Sequence, residues 1–174
     1  ARVQDCLGKI SVSSRHLLNL INDVLDMSKI ESGKMAFNEE EIRLPRLIDN
    51  LLEMVRPSVN AKKHRLFVHV QDLQHEDILG DSLRIQQIFT NIMSNAVKYT
   101  PSGTITIRVT EDKKLSVEDT GIGIAPEDLP RIFEKGFTGY NGRNDKKATG
   151  LGLNLCRKAA EHLNVGIAVE SKPG

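Results

Sequence analysis

Leu7, Ile10, Ser14, Leu17, Ile21 and Val24 stand three and four residues apart in turn along the first segment of the chain. That spacing is the apolar seam of a coiled coil, and Leu18 and Leu25 widen it. One helix cannot bury such a seam by itself. The pattern predicts a helix from Arg2 to about Lys34 that packs in a bundle, with a second chain or a partner helix, rather than on the rest of this chain. Ser32-Gly33 ends it, because glycine accepts the left-handed backbone of a helix stop.

After this the period changes. Pro45 suits the first turn of a helix carrying Leu47, Ile48, Leu51, Leu52 and Val55 on one face. Arg65 to Val70 reads as a strand. Asp81 is an N-cap for a helix to about Lys98, with Ile85, Ile88, Phe89, Ile92, Met93 and Ala96 inward. Pro101-Ser-Gly103 is a turn, and Thr104 to Val109 alternates as a half-buried strand. Leu115, Val117 and Asp119 share one face of the next strand, so Asp119 is expected on the core side. Pro126 opens a short helix. Residues 136–149 have no apolar period and read as a loop. Leu153, Cys156, Ala160 and Leu163 mark a further helix from Leu151, and Val165, Ile167 and Val169 a last strand. The expected organisation is a helical arm over residues 1–34 and an α+β domain over 35–174, with helices on one face of a mixed sheet.

Composition narrows the function classes. The 174 residues carry 24 Lys and Arg against 23 Asp and Glu, a net charge of +1 that gives no strong case for nucleic acid or an anionic membrane. With no Trp and 4% aromatic residues, a base-stacking platform is not expected. Cys6 and Cys156 fit reduced thiols rather than a disulfide framework. No apolar run approaches a membrane span and no secretory signal is visible, so the expected location is the cytosol, as a domain or as a piece of something larger.

Three features carry chemistry. Opposite the apolar face of the 81–98 helix lies a polar stripe: Arg84, Gln87, Asn91, Asn95 and Lys98. Such stripes are usually solvated. This one holds two Asn a turn apart, and Asn is a poor helix former. An amide oxygen is a hard neutral ligand for a Mg²⁺ that also carries phosphate oxygens, and Lys98 adds a point charge. Second, the strand ending at Asp119 runs into Thr-Gly121-Ile-Gly123-Ile124, where glycines allow close backbone approach to a ring and a carboxylate can accept from an exocyclic amine. The plain alternative is a glycine turn closed by Asp119. Third, Thr149-Gly150-Leu151-Gly152-Leu153 opens a helix, whose N-terminal amides suit anions. Neither a Walker A loop nor a dinucleotide-binding fingerprint is present.

Taken in order, these runs resemble sensor histidine kinases. Asn91-Ile-Met-Ser-Asn-Ala-Val-Lys-Tyr-Thr100 resembles their N box, Asp119 to Ile124 their G1 box, Arg131-Ile-Phe-Glu-Lys-Gly-Phe137 their F box and Thr149 to Leu153 their G2 box. Gly80 to Gln87 is similar to the run before the N box. Leu20 to Gly33 is similar to the second helix of the dimerisation domain found in hybrid kinases. The resemblance implies a two-layer α/β sandwich of the GHKL type, with ATP and Mg²⁺ as cofactors. It implies Mg²⁺ on Asn95 with Asn91 nearby, and phosphates or the nucleotide edge by Lys98 and Tyr99. Asp119 would read the adenine amine, Gly121, Gly123 and Ile124 would line the base, and Thr149, Gly150, Leu151, Gly152 and Leu153 would approach the phosphates. Residues 136–149 would form a lid anchored by Phe133 and Phe137. The implied partners are a second copy through the helical bundle and a response-regulator receiver domain, with any membrane contact made by other regions. The alternative within the superfamily is an ATP-binding module whose nucleotide drives a shape change without phosphorylating histidine. A nucleotide-free interaction domain acting through the helical seam is a third.

The departures from the family pattern are specific. No H box with an acceptor histidine followed by an acid is present. His16, in Ser-Arg-His-Leu-Leu, is read as a bundle surface residue, so these residues are expected to bind ATP without phosphorylating themselves. After Gly174 the family pattern continues into a glycine turn and a final strand, and its absence here would leave a sheet edge open. The lid residues Gly136 to Arg143 resemble a different kinase subgroup from the one suggested by the first helix.

Overall fold

The computed structural model describes residues 2–71, 77–139 and 148–173. Within the first helix the side chains of Arg2, Asp5, Lys9, Val12, Arg15, His16 and Asn19 are outside the description. The reading of His16 therefore falls outside the described residues, as do His75 and the central part of the lid.

Helix α1 (Arg2–Glu31) is a single long rod. Gly33, at φ 65°, turns the chain out of it, and the amide of Lys34 closes back on the carbonyl of Lys29 at 2.9 Å. Strand β1 (Glu40–Arg43) leads directly into α2 (Leu44–Ala61), with Pro45 in its first turn. Strands β2 (Arg65–Val70) and β3 (Asp77–Gly80) follow, then α3 (Ser82–Tyr99), β4 (Thr104–Val109), β5 (Leu115–Asp119) and α4 (Gly152–His162). Asp81 caps α3 as expected, its Oδ1 accepting the amide of Arg84 at 3.0 Å.

The strands form two sheets. β1 and β3 pair antiparallel. β2, β4 and β5 form a mixed sheet with β4 in the centre, parallel to β2 and antiparallel to β5. The parallel pair requires a crossover, and α3 supplies it. α2 and α3 cover one face of this sheet. Leu47, Ile48, Leu51, Leu52, Val55 and Val59 from α2 meet Phe89, Met93, Ala96 and Val97 from α3 over Ile105, Ile107 and Val109. The period-3.6 and period-2 patterns thus converge on one core.

Three expectations are corrected. Pro126 does not start a regular helix; the only helical turn there is 3₁₀, Leu129–Arg131. Leu155, Cys156, Ala159 and Ala160 form the buried face of α4, while Leu153 and Leu163 are half-buried at its margin. Val165, Ile167 and Val169 alternate but form no strand. A strand needs a ladder partner, and the edge of β5 is separated from this segment by an open cavity. The segment is tied instead at its far end, where the amide of Ile124 donates to Ser171 Oγ at 2.9 Å.

Candidate functional site

The polar stripe of α3 is divided between two tasks. Its N-terminal half holds the arm. Gln87 Nε2 donates to Asp26 Oδ2 at 2.8 Å, and Arg84 reaches the same oxygen at 3.4 Å. Met27 is buried beneath this contact, and Lys135 pairs with Glu31 one turn further on. Asn91, next along the stripe, lies against the start of α4: its Nδ2 is 3.5 Å from the carbonyl of Gly152. A Cβ on Gly152 would meet the Asn91 amide at 3.8 Å, an ordinary van der Waals contact. Below it Cys156 is buried, and burial pushes its thiol up to about 11, against a weaker opposing contact from Asn91. Asp23 of α1 faces the same place. Burial, then the neighbouring charge of Asp26, holds its carboxyl above the usual range.

The C-terminal half of the stripe opens onto a cavity of about 1580 Å³. Asn95, Lys98 and Tyr99 of α3 line it from one side. Asp119, Gly121, Gly123 and Ile124 line it from the end of β5, and Phe137, Thr149, Gly150, Gly152 and Leu153 from the lid ends and the start of α4. Asn91 and Leu151 flank these residues. The cavity continues between β5 and the segment from Val165 to Lys172, and along Leu47, Ile48 and Leu51 of α2. Lys98 Nζ lies 4.7 Å from the centre of the Tyr99 ring, a cation–π contact at the end of α3.

Gly150 and Gly123 combine a left-handed φ with close approach. Gly150, at φ 66°, packs so tightly on Gly136 and Phe137 that a Cβ would lie 2.4 to 2.7 Å from their backbone atoms. The amide of Gly136 donates to the carbonyl of Gly150 at 3.0 Å, so the two ends of the 136–149 segment are joined at its base. Residues 140–147 between them are outside the described residues. Gly123, at φ 68°, packs equally closely on the backbone of Lys172. Phe133 and Phe137 sit half-buried at the lid base, each beneath an arginine: Arg157 at 5.9 Å and Arg131 at 4.5 Å.

Asp119 is exposed to the cavity rather than buried, because β5 has no strand beyond it among the described residues. It is not idle. Its Oδ1 accepts the amide of Gly121 at 2.9 Å and the hydroxyl of Thr100 at 3.2 Å. Thr100 is fully buried. Neither Thr100 nor Asp23 stands out in the sequence: one closes a helix and the other sits beside the seam, and only the packing of distant elements brings them to the site.

Among the described residues no group of His, Cys, Asp and Glu could hold a metal ion. A cation here would rest on amide oxygens and on a ligand's own oxygens, which suits Mg²⁺ on a polyphosphate. No helix of the described residues is long and apolar enough to cross a membrane.

Comparison with known proteins bears on the family and the fold. Residues 80–174 match the family described as histidine kinase-, DNA gyrase B- and HSP90-like ATPases. The sensor protein GacS of Pseudomonas syringae pv. syringae is 36% identical over 98% of the chain, and the signal transduction histidine-protein kinase BarA of Escherichia coli K12 is 33% identical over 98%. The chain spans 20% of the length of each. Among solved structures, full-length ShkA in complex with AMPPNP superposes with a TM-score of 0.76 at 25% identity, over 98% of this chain and 37% of that one. The catalytic domain of the histidine kinase ThkA, in a nucleotide-free form, gives 0.59 at 27% identity, over 74% of this chain and 83% of that one. With the mixed sheet, the covering helices and the ordered motifs on one cavity, the chain belongs to the histidine kinase-, DNA gyrase B- and HSP90-like ATPase family.

Proposed function

We propose that these residues are the ATP-binding catalytic portion of a sensor histidine kinase, preceded by the second helix of its dimerisation domain, with the boundary near residue 34. The observation that carries the reading is the convergence of Asn95, Lys98, Asp119, Gly121, Gly123, Gly150 and Gly152 on one cavity from three separate elements. Asn95, with Asn91 nearby, would hold Mg²⁺ through amide oxygens. Lys98 offsets phosphate charge, Asp119 accepts the adenine amine, and the amides opening α4 face the phosphate tail. When bound there, Mg²⁺ would supply charge neutralisation for the transferred phosphoryl group. The protein's own part is positioning, which dominates catalysis of phosphoryl transfer.

The phosphoryl group passes to a histidine on a bundle helix other than α1, then to an aspartate of a response-regulator receiver domain. The uncovered seam of α1 supports a homodimeric bundle, and the reaction takes place on the cytoplasmic side.

Calorimetric titration with a non-hydrolysable ATP analogue and Mg²⁺ tests the reading. Saturable one-to-one binding is expected. Asn95→Ala should lower Mg²⁺-dependent affinity at least about tenfold, as loss of one ligand to a charged centre implies, with the thermal transition of the free protein unmoved. Absence of binding in the unaltered protein, or indifference to Asn95→Ala, overturns respectively the nucleotide reading or the assigned ligand.

A further inference from the structure

The C-terminal end of α3 is held from behind by the turn that joins α2 to β2. Lys62 Nζ donates to the carbonyl of Val97 at 2.8 Å and lies 3.3 Å from that of Lys98. His64, itself buried, places Nε2 at 2.7 Å from the carbonyl of Thr100. A carbonyl only accepts, so Nε2 carries the proton. Nδ1 is buried without a hydrogen-bond partner among the described residues. The backbone amide of Thr100 donates to the carbonyl of Ala96 at 3.2 Å. Its backbone is thus hydrogen-bonded at both ends, the residue has no exposed surface, and its hydroxyl donates to Asp119 Oδ1 at 3.2 Å.

The consequence falls on the carboxylate. Oδ1 accepts two hydrogen bonds, from Thr100 and from the amide of Gly121, while Oδ2 accepts none among the described residues. The fit around Oδ1 is close: a Cβ on Gly121 would lie 2.6 Å from it and 2.8 Å from the Thr100 hydroxyl. A carboxylate anchored twice through one oxygen cannot turn freely, and the other oxygen is a fixed acceptor at the cavity.

We propose that Thr100, steadied by His64, is the positioning residue that sets purine selectivity at this site. The proposal rests on the nucleotide reading above. A purine with an amine at the ring position facing Asp119 donates to the fixed Oδ2. A purine with a keto oxygen there sets acceptor against acceptor, and the anchored carboxylate cannot rotate to relieve it. Without the hydroxyl the anchor is halved and the carboxylate turns.

The test is calorimetric titration of Thr100→Val, Thr100→Ser and His64→Leu with Mg²⁺ and non-hydrolysable analogues of ATP and GTP. Thr100→Ser keeps the hydroxyl and should hold the adenine-to-guanine affinity ratio within about twofold. Thr100→Val should lower that ratio about tenfold, mainly through the adenine analogue, in line with the worth of a hydrogen bond to a charged group. His64→Leu should lower it in the same direction by a smaller factor, and it stands in for Thr100→Val should the latter fail to fold. Equal loss for both purines assigns Thr100 a merely structural role and overturns the proposal. An unmoved ratio in Thr100→Val, or in His64→Leu standing in for it, overturns it as well. Failure of the unaltered protein to bind either analogue instead sinks the nucleotide reading, and this inference with it.

Discussion

Two cysteines of one chain differ in chemistry because their surroundings differ. Cys6 is exposed on α1, whereas Cys156 is buried between α4 and α3, its thiol raised from the ordinary 9.0 to about 11. The folded protein therefore keeps its proton on Cys156 through a range where the unfolded chain has lost it. Stability from this site is present below about pH 9 and is lost as pH rises toward about 11. A thiol reagent at neutral pH should label Cys6 alone until denaturant is added. The alkaline loss of stability should be shallower in Cys156→Ala, as followed by denaturant melts at pH 8 to 11; early labelling of Cys156 would contradict its burial. Sequence showed Cys156 as an apolar-face residue. It did not show Asn91 or Asp23 beside it, because those contacts join α4 to α3 and to α1.

At the scale of elements, α3 organises the site. Its apolar face was legible from spacing: Phe89, Met93 and Ala96 are buried, while Ile85, Ile88 and Ile92 are half-buried where the cavity borders them. Its polar face was legible as unusual, but not as divided. Arg84 and Gln87 engage Asp26 of the arm, while Asn95 and Lys98 line the cavity. The division follows from where α1 ends. The start of α4 makes a similar demand on Gly150, where the left-handed φ and the backbone of Gly136 and Phe137 both exclude a side chain. Gly150→Ala should cost about 2 kcal/mol or more, since it adds conformational strain to a clash with backbone. A lowered thermal transition in the free protein checks this; a transition unmoved within error would mean that the lid base yields. The expected strand at 165–169 failed for an equally local reason. Alternation gives a segment a sheet-facing side, but hydrogen bonds to a neighbour make it a strand.

For the whole molecule the arm is the deciding feature. Leu7, Ile10, Leu17, Leu18, Ile21, Val24 and Leu25 remain between 46% and 62% exposed, a continuous apolar stripe that the globular part does not cover. Among the described residues the last turns of α1 are engaged, through Asp23, Asp26, Met27 and Glu31. An exposed apolar stripe of this extent favours association. The chain should sediment as a concentration-dependent oligomer. Leu17→Glu with Val24→Glu should shift it to monomer while changing affinity for the ATP analogue less than about twofold. A monomer in the unaltered chain at high concentration would show that the seam needs a different partner.

Periodicity alone determined the helices of the core, the strands of the mixed sheet and the apolar seam of α1, because each depends only on which side of a repeating backbone is apolar. The order of the motifs determined the family. Tertiary structure decided which polar groups meet: Thr100 with Asp119, Asn91 with Gly152, Asp26 with Gln87. Hydrogen bonds between residues far apart in sequence are fixed by how whole elements pack, and no local pattern records them.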